Sequence, residues 1–88
     1  GYYREGAFGI RIENLLVVTP AESPDGRDLL GFETLSFAPI DRRLILRDML
    51  SGPERDWLDA YHADVLARIG PLVDASVRDW LARACAPI

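Results

Sequence analysis

Phe8-Gly9-Ile10-Arg11-Ile12-Glu13-Asn14-Leu15-Leu16-Val17-Val18 is the stretch whose reading decides the fold. Its side chains alternate. Phe8, Ile10, Ile12, Leu16 and Val18 share one face, interrupted by the polar Asn14, while Ala7, Gly9, Arg11, Glu13, Leu15 and Val17 share the other. β-Branched residues favour a pleated, extended backbone, so residues 8–18 read as one strand. Next comes Thr19-Pro20-Ala21-Glu22-Ser23-Pro24-Asp25-Gly26, whose two prolines and Asp-Gly pair predict a loop with a turn near Pro24-Asp25-Gly26. Alternation resumes over residues 31–37, with Phe32, Thr34 and Ser36 opposed to Glu33, Leu35 and Phe37. Consecutive strands usually neighbour each other, so antiparallel pairing of the two is expected.

The second half reads as helices. Residues 39–50 hold Pro39, Ile40, Leu44, Ile45, Leu46, Met49 and Leu50, in a pattern too irregular to assign. Ser51-Gly52-Pro53-Glu54 has the spacing of a capping box, and proline is tolerated in a first helical turn because the amide it lacks has no helical partner there. The helix should run to about Ile69, with Trp57, Leu58, Tyr61, Val65 and Ile69 as its apolar stripe, and stop at Gly70-Pro71. Asp74 can cap a second helix over 75–84 that buries Val77, Trp80, Leu81 and Ala84. The short connection favours an antiparallel helical hairpin.

With 88 residues, the chain makes one domain at most. Its 49% hydrophobic and 27% charged residues are the balance of a globular chain. All ten basic residues are arginine, dispersed in a chain of net charge −4, and the cluster of Arg42, Arg43 and Arg47 is too small for a nucleic-acid surface. No apolar run approaches the ~20 residues that span a bilayer, and no signal peptide is visible, so no membrane association is expected. Cys85, the single cysteine, has no internal partner for a disulfide, which allows a reducing compartment. The chain opens on Gly1 and enters a strand within a few residues, so an excised fragment is expected as readily as a complete protein.

Arg11 and Glu13 are the first candidates for chemistry. Two apart on a strand, they point to the same side, ~7 Å apart along it. A carboxylate on a strand face that continues as Leu15 and Val17 needs a partner: an arginine, a metal or a proton. Spacing alone leaves open an incidental ion pair and a metal or catalytic role. His62, the only histidine, lies close to the apolar stripe and reads as structural, bonded to a backbone group or an acid. Cys85 reads as a small apolar residue at a helix end rather than a nucleophile. Glu54, Asp56, Asp59 and Asp64 fall mostly in early helical turns, where negative charge complements the helix dipole. Trp57, Tyr61 and Trp80 read as packing residues rather than a ligand cage.

Four segments carry a family resemblance. Gly1-Tyr2-Tyr3-Arg4-Glu5-Gly6-Ala7-Phe8-Gly9-Ile10-Arg11-Ile12-Glu13-Asn14 closely resembles a stretch of the Xaa-Pro aminopeptidases (aminopeptidase P), members of the pita-bread metallopeptidase family. Leu30-Gly31-Phe32-Glu33-Thr34-Leu35-Ser36-Phe37-Ala38-Pro39-Ile40-Asp41-Arg42 is similar to the family's Gly-Phe-Glu-Thr-Leu segment and its Pro-Ile-Asp sequel. Trp57-Leu58-Asp59-Ala60-Tyr61-His62 and the closing Trp80-Leu81 and Ala86-Pro87-Ile88 resemble the C-terminal extension of the longer, three-domain members.

The resemblance implies an α+β fragment of a pita-bread catalytic domain: antiparallel strands within residues 1–50, then a helical C-terminal extension over 51–88. It implies two divalent metal ions, commonly Mn²⁺, held by two aspartates, one histidine and two glutamates. The last ligand in chain order maps onto Glu13, which would bridge both ions, with Arg11 behind it orienting a ligand carboxylate. The reaction implied is hydrolysis of the N-terminal bond of a peptide with proline in second position, in a cytoplasmic enzyme. The remaining ligands belong upstream of Gly1, so the chain alone is expected to be inactive and to expose sheet edges and apolar surface. Two alternatives stand beside this reading. One is another hydrolase on the same fold, a dipeptidase or a creatinase-like enzyme. The other is a non-catalytic pseudo-peptidase or interaction module whose helices serve homodimerisation.

Overall fold

Arg4 and Ala7 close the first turn of the chain: the Ala7 N–H donates to the Arg4 carbonyl at 3.1 Å. Gly6, between them, has φ +68°, a conformation that costs a residue with a Cβ but not glycine. The turn folds β1 (Tyr2–Arg4) onto β2 (Phe8–Ile10) as an antiparallel pair, with Tyr2 opposite Ile10 and Arg4 opposite Phe8. Gly9 stands opposite Tyr3, where a Cβ would lie 2.8 Å from the tyrosine ring, so a larger residue here would displace that ring. The computed structural model describes residues 1–88 in two compact units, Gly1–Ser36 and Phe37–Ile88.

Residues 8–18 are not one strand. The ladder ends at Ile10 and resumes in β3 (Leu16–Ala21), which pairs antiparallel with β4 (Leu29–Thr34), Leu16 opposite Thr34 and Ala21 opposite Leu29. The two halves of the alternating run have different partners, so hydrophobic alternation continues where hydrogen bonding does not. Leu15 anchors the second hairpin from outside it: its carbonyl accepts from the Leu35 N–H, and its own N–H donates to Ser36 Oγ, both at 2.8 Å. β3 also extends through Thr19, Pro20 and Ala21, where a loop is predicted from the proline. A two-stranded sheet leaves one edge of each strand unpaired, where a residue without an N–H is tolerated. The turn itself is as expected, with the Gly26 N–H donating to the Ser23 carbonyl at 3.1 Å and Gly26 at φ +73°.

No residue of this first unit is buried. Phe32 and Leu30 remain 75% and 74% exposed. Two-stranded sheets with nothing over them are marginal in water, so these strands need a layer that the unit does not supply.

The second unit has a core. Its α1 (Gly52–Ile69) starts at Ser51, whose backbone N–H and hydroxyl both donate to the Glu54 carboxylate, at 2.8 and 2.7 Å. A one-turn 3₁₀ helix, Gly70–Leu72, separates it from α2 (Ala75–Ala84). Asp74 occupies the N-cap of α2 with extended backbone, but its side chain makes no capping bond, contrary to the sequence expectation. The unassigned residues before α1 form two further 3₁₀ turns, Arg42–Leu44 and Arg47–Met49.

Tyr61 and Val65 of α1 bury against Leu81 of α2 and Cys85 just beyond its end, with Phe37, Ile40, Leu66 and Ile69 around them. Leu58 and His62 complete the buried face of α1, one helical turn apart. Three predicted core residues stay outside. Trp57 is 56% exposed, its ring stacked on Tyr61 at 5.5 Å between centroids, and Trp80 and Val77 are also exposed. Trp80 lies ~100° around the helix from Leu81 and so on its flank. Val77 shares the Leu81 face but lies a turn before the part of α2 that meets α1. The helices therefore form the expected connected pair, joined through the last turn of α2 rather than its whole length.

Candidate metal-ligating residue Glu13 and its arginine

Arg11 and Glu13 lie in the segment between β2 and β3, off both ladders. The two-residue spacing still brings them together. Arg11 Nε donates to Glu13 Oε1 at 2.8 Å, and the Arg11 terminal nitrogen donates to Oε2 at 2.5 Å, a two-pronged contact that fixes the carboxylate plane. Their side chains are 60% and 55% exposed, so the pair faces open space and can accept a further partner. The bond to Glu13 holds the Arg11 guanidinium above its ordinary pKa, with a smaller contribution from Tyr3. Each carboxylate oxygen has two lone pairs. With one on each oxygen engaged by Arg11, the carboxylate retains capacity for metal ions on its other side.

A metal site needs more donors than one. No group of three or more His, Cys, Asp or Glu side chains gathers anywhere in the chain. Glu13 thus suits a single oxygen ligand to a hard divalent cation, and any remaining ligands would have to come from outside these residues.

His62 has a different employment. It is fully buried, and its Nε2 accepts the backbone N–H of Ile40 at 3.0 Å, the first of the two partner types, backbone group or acid, that the sequence allows. Burial first, then the charge of Arg42, pushes its pKa down, against a smaller upward pull from Asp59. A neutral imidazole already committed to the backbone is structural. Cys85 is buried too, and burial pushes its thiol up, the opposite of what a nucleophile needs.

Sequence reasoning missed the residues that hold the second unit together from Phe37 to Arg42. Tyr61 Oη donates to the Ala38 carbonyl at 2.8 Å. Arg42 reaches across 41 and 45 residues of sequence to the carbonyls of Arg83 and Pro87, at 2.7 and 2.9 Å. Such long-range bonds to main-chain oxygens leave no periodic signal in a sequence.

Known proteins place the chain. Residues 28–88 match the family described as "C-terminal region of peptidase_M24". The chain is 48% identical over 85 residues to "Aminopeptidase P2" of Arabidopsis thaliana, which covers 92% of the chain and 12% of that protein. It is 38% identical over 93 residues to "Probable Xaa-Pro aminopeptidase P" of Laccaria bicolor, covering all of the chain and 14% of the relative. Among solved structures, the X-prolyl aminopeptidase of Caenorhabditis elegans, described as "a cytosolic enzyme with a di-nuclear active site", matches 99% of the chain and 15% of its own length, with a TM-score of 0.87 and 33% identity. The chain thus spans about an eighth to a seventh of the length of these proteins. Its paired strands and helices are a fragment of the pita-bread fold, as the sequence resemblance implies, and the chain belongs to the family of the C-terminal region of peptidase_M24.

Proposed function

We propose that this chain is the C-terminal portion of a dinuclear metallo-aminopeptidase that hydrolyses the N-terminal bond of peptides with proline in second position. The likeness over the whole chain to proteins bearing that name carries the reading. Residues 1–50 then belong to the catalytic domain and 51–88 to its helical C-terminal extension. The coreless strands of the first unit support this, because they need an apolar layer that a larger domain would provide.

In this reading Glu13 would be a shared carboxylate ligand of two divalent ions, commonly Mn²⁺, since its two oxygens can serve two metals at once. The metal pair, when bound, supplies Lewis acidity and a nucleophilic water. Arg11 locks the Glu13 carboxylate in one orientation and offsets the negative charge that a carboxylate-rich site accumulates. The enzyme works in the cytoplasm, and its helical extension is available for homodimerisation. The 88-residue chain alone binds the metal pair weakly and is inactive.

Expressing the chain alone and within its parent polypeptide tests this. Each is assayed for release of the first residue from an Xaa-Pro peptide and for bound metal by mass spectrometry. Hydrolysis and two bound ions in the parent only are expected. A parent with neither activity nor metal would overturn the reading.

A further inference from the structure

Segment 39–43 and α2 of the second unit enclose a cleft of about 390 Å³, within the range of small-ligand sites. Three arginines and one carboxylate line it. Asp41 is spent on Arg43, whose Nε and terminal nitrogen bond both carboxylate oxygens, at 2.9 and 2.7 Å. That pair is internally neutral.

Arg42 differs. Its two bonds go to the carbonyls of Pro87 and Arg83, neutral acceptors that fix the guanidinium without cancelling its charge. Three of its five N–H groups remain free of those bonds. Arg42's charge is felt inside the unit, where it pulls down the pKa of both His62 and Cys85. Arg83, on the α2 wall of the cleft, is exposed and forms no ion pair. Two cations without an ion-pair partner thus line one concavity of a chain whose net charge is −4. Apolar groups share the lining: Pro39, Ile40, Ala84 and the 54%-exposed ring of Trp80.

We propose that this cleft binds an oxyanion, carboxylate or phosphate, carried on a flat apolar body: the anion at Arg42 and Arg83, the body against Trp80. A guanidinium already immobilised by the backbone loses little entropy on binding, and its fork matches two oxygens at once. The anion and the ring contact together set the specificity, so an inorganic ion alone binds more weakly.

Isothermal titration calorimetry of the full-length protein with benzoate and with phenyl phosphate tests this at low salt, each repeated on the Arg83→Ala and Trp80→Ala variants. Both side chains are exposed in this chain, and thermal melts of the full-length variants separate loss of the contact from loss of the fold. Saturable binding of at least one probe is expected, weakened about tenfold or more in Arg83→Ala, as for loss of a charge-assisted bond, and measurably in Trp80→Ala. The preferred probe identifies the oxyanion. Absence of saturable binding by both probes would overturn the proposal, as would binding that either variant leaves unchanged, which would place the ligand elsewhere.

Discussion

His62 Nε2 accepts the backbone N–H of Ile40 at 3.0 Å, so the ring's proton sits on Nδ1, which is buried and has no hydrogen-bond partner. Beside it Tyr61 Oη accepts from the Ala38 N–H at 3.3 Å and donates to the Ala38 carbonyl at 2.8 Å. Two consecutive residues of α1 thereby clasp the chain that leads in from the strands. The clasp works only while the imidazole is neutral, since a doubly protonated ring has no acceptor to offer.

Acid should therefore loosen the second unit. The folded pKa of His62 lies below the ordinary value of 6.5, chiefly through burial. Below 6.5 the unfolded chain binds the extra proton and the folded chain resists it, so stability is full above that value and falls as pH drops through it. Asp41, at about 2, titrates far below this window, and there is no second histidine. Urea midpoints at pH 7.5, 6.5 and 5.5 should decline in order, and His62→Gln should flatten the trend. An unchanged midpoint would refute the clasp's pH dependence.

Val65 and Val77 make a paired test of where the core ends. Val65 has no exposed surface, while Val77 is 44% exposed. Val65→Ala should cost about 2–3 kcal/mol, from lost burial plus a cavity. Val77→Ala should fall within about 0.5 kcal/mol of wild type. Denaturant unfolding that ranks the two alike would contradict the packing described.

These contrasts show what a sequence can carry. The ends of α1 were legible because they depend on local chemistry, the Ser51–Glu54 box and Gly70-Pro71. The hairpin of β3 and β4 was legible from alternation and the turn at Gly26. The break at Ile10 was not, because alternation reports which side chains share a face and says nothing of which strand supplies the hydrogen bonds. Trp80 and Val77 were misplaced for a related reason: helical period identifies a face but not how much of its length meets a partner. At the candidate site, spacing alone could unite Arg11 with Glu13 but could not choose between an ion pair and a metal ligand. The family likeness motivates that choice, while the two-pronged contact is compatible with both.

Arg11 should matter to activity more than to folding. It grips Glu13 through two bonds and lies off both ladders, so Arg11→Ala should move the parent's activity more than its thermal melt. Loss of the group orienting a metal ligand should lower metal affinity or kcat about 10–100-fold. Arg11→Lys, which cannot grip both oxygens, should recover only part of it. Wild-type activity and metal content in Arg11→Ala would remove the positioning role.

The most direct measurement is Glu13→Gln in the full-length protein, read by metal content per chain and by hydrolysis of an Xaa-Pro peptide. The amide keeps the size of the side chain and removes its charge. If Glu13 bridges the metal pair, bound metal should drop below two ions per chain, and hydrolysis should fall by about a thousandfold or more, because several kcal/mol of transition-state stabilisation depends on the metals. Full metal occupancy with near-wild-type hydrolysis would contradict the account.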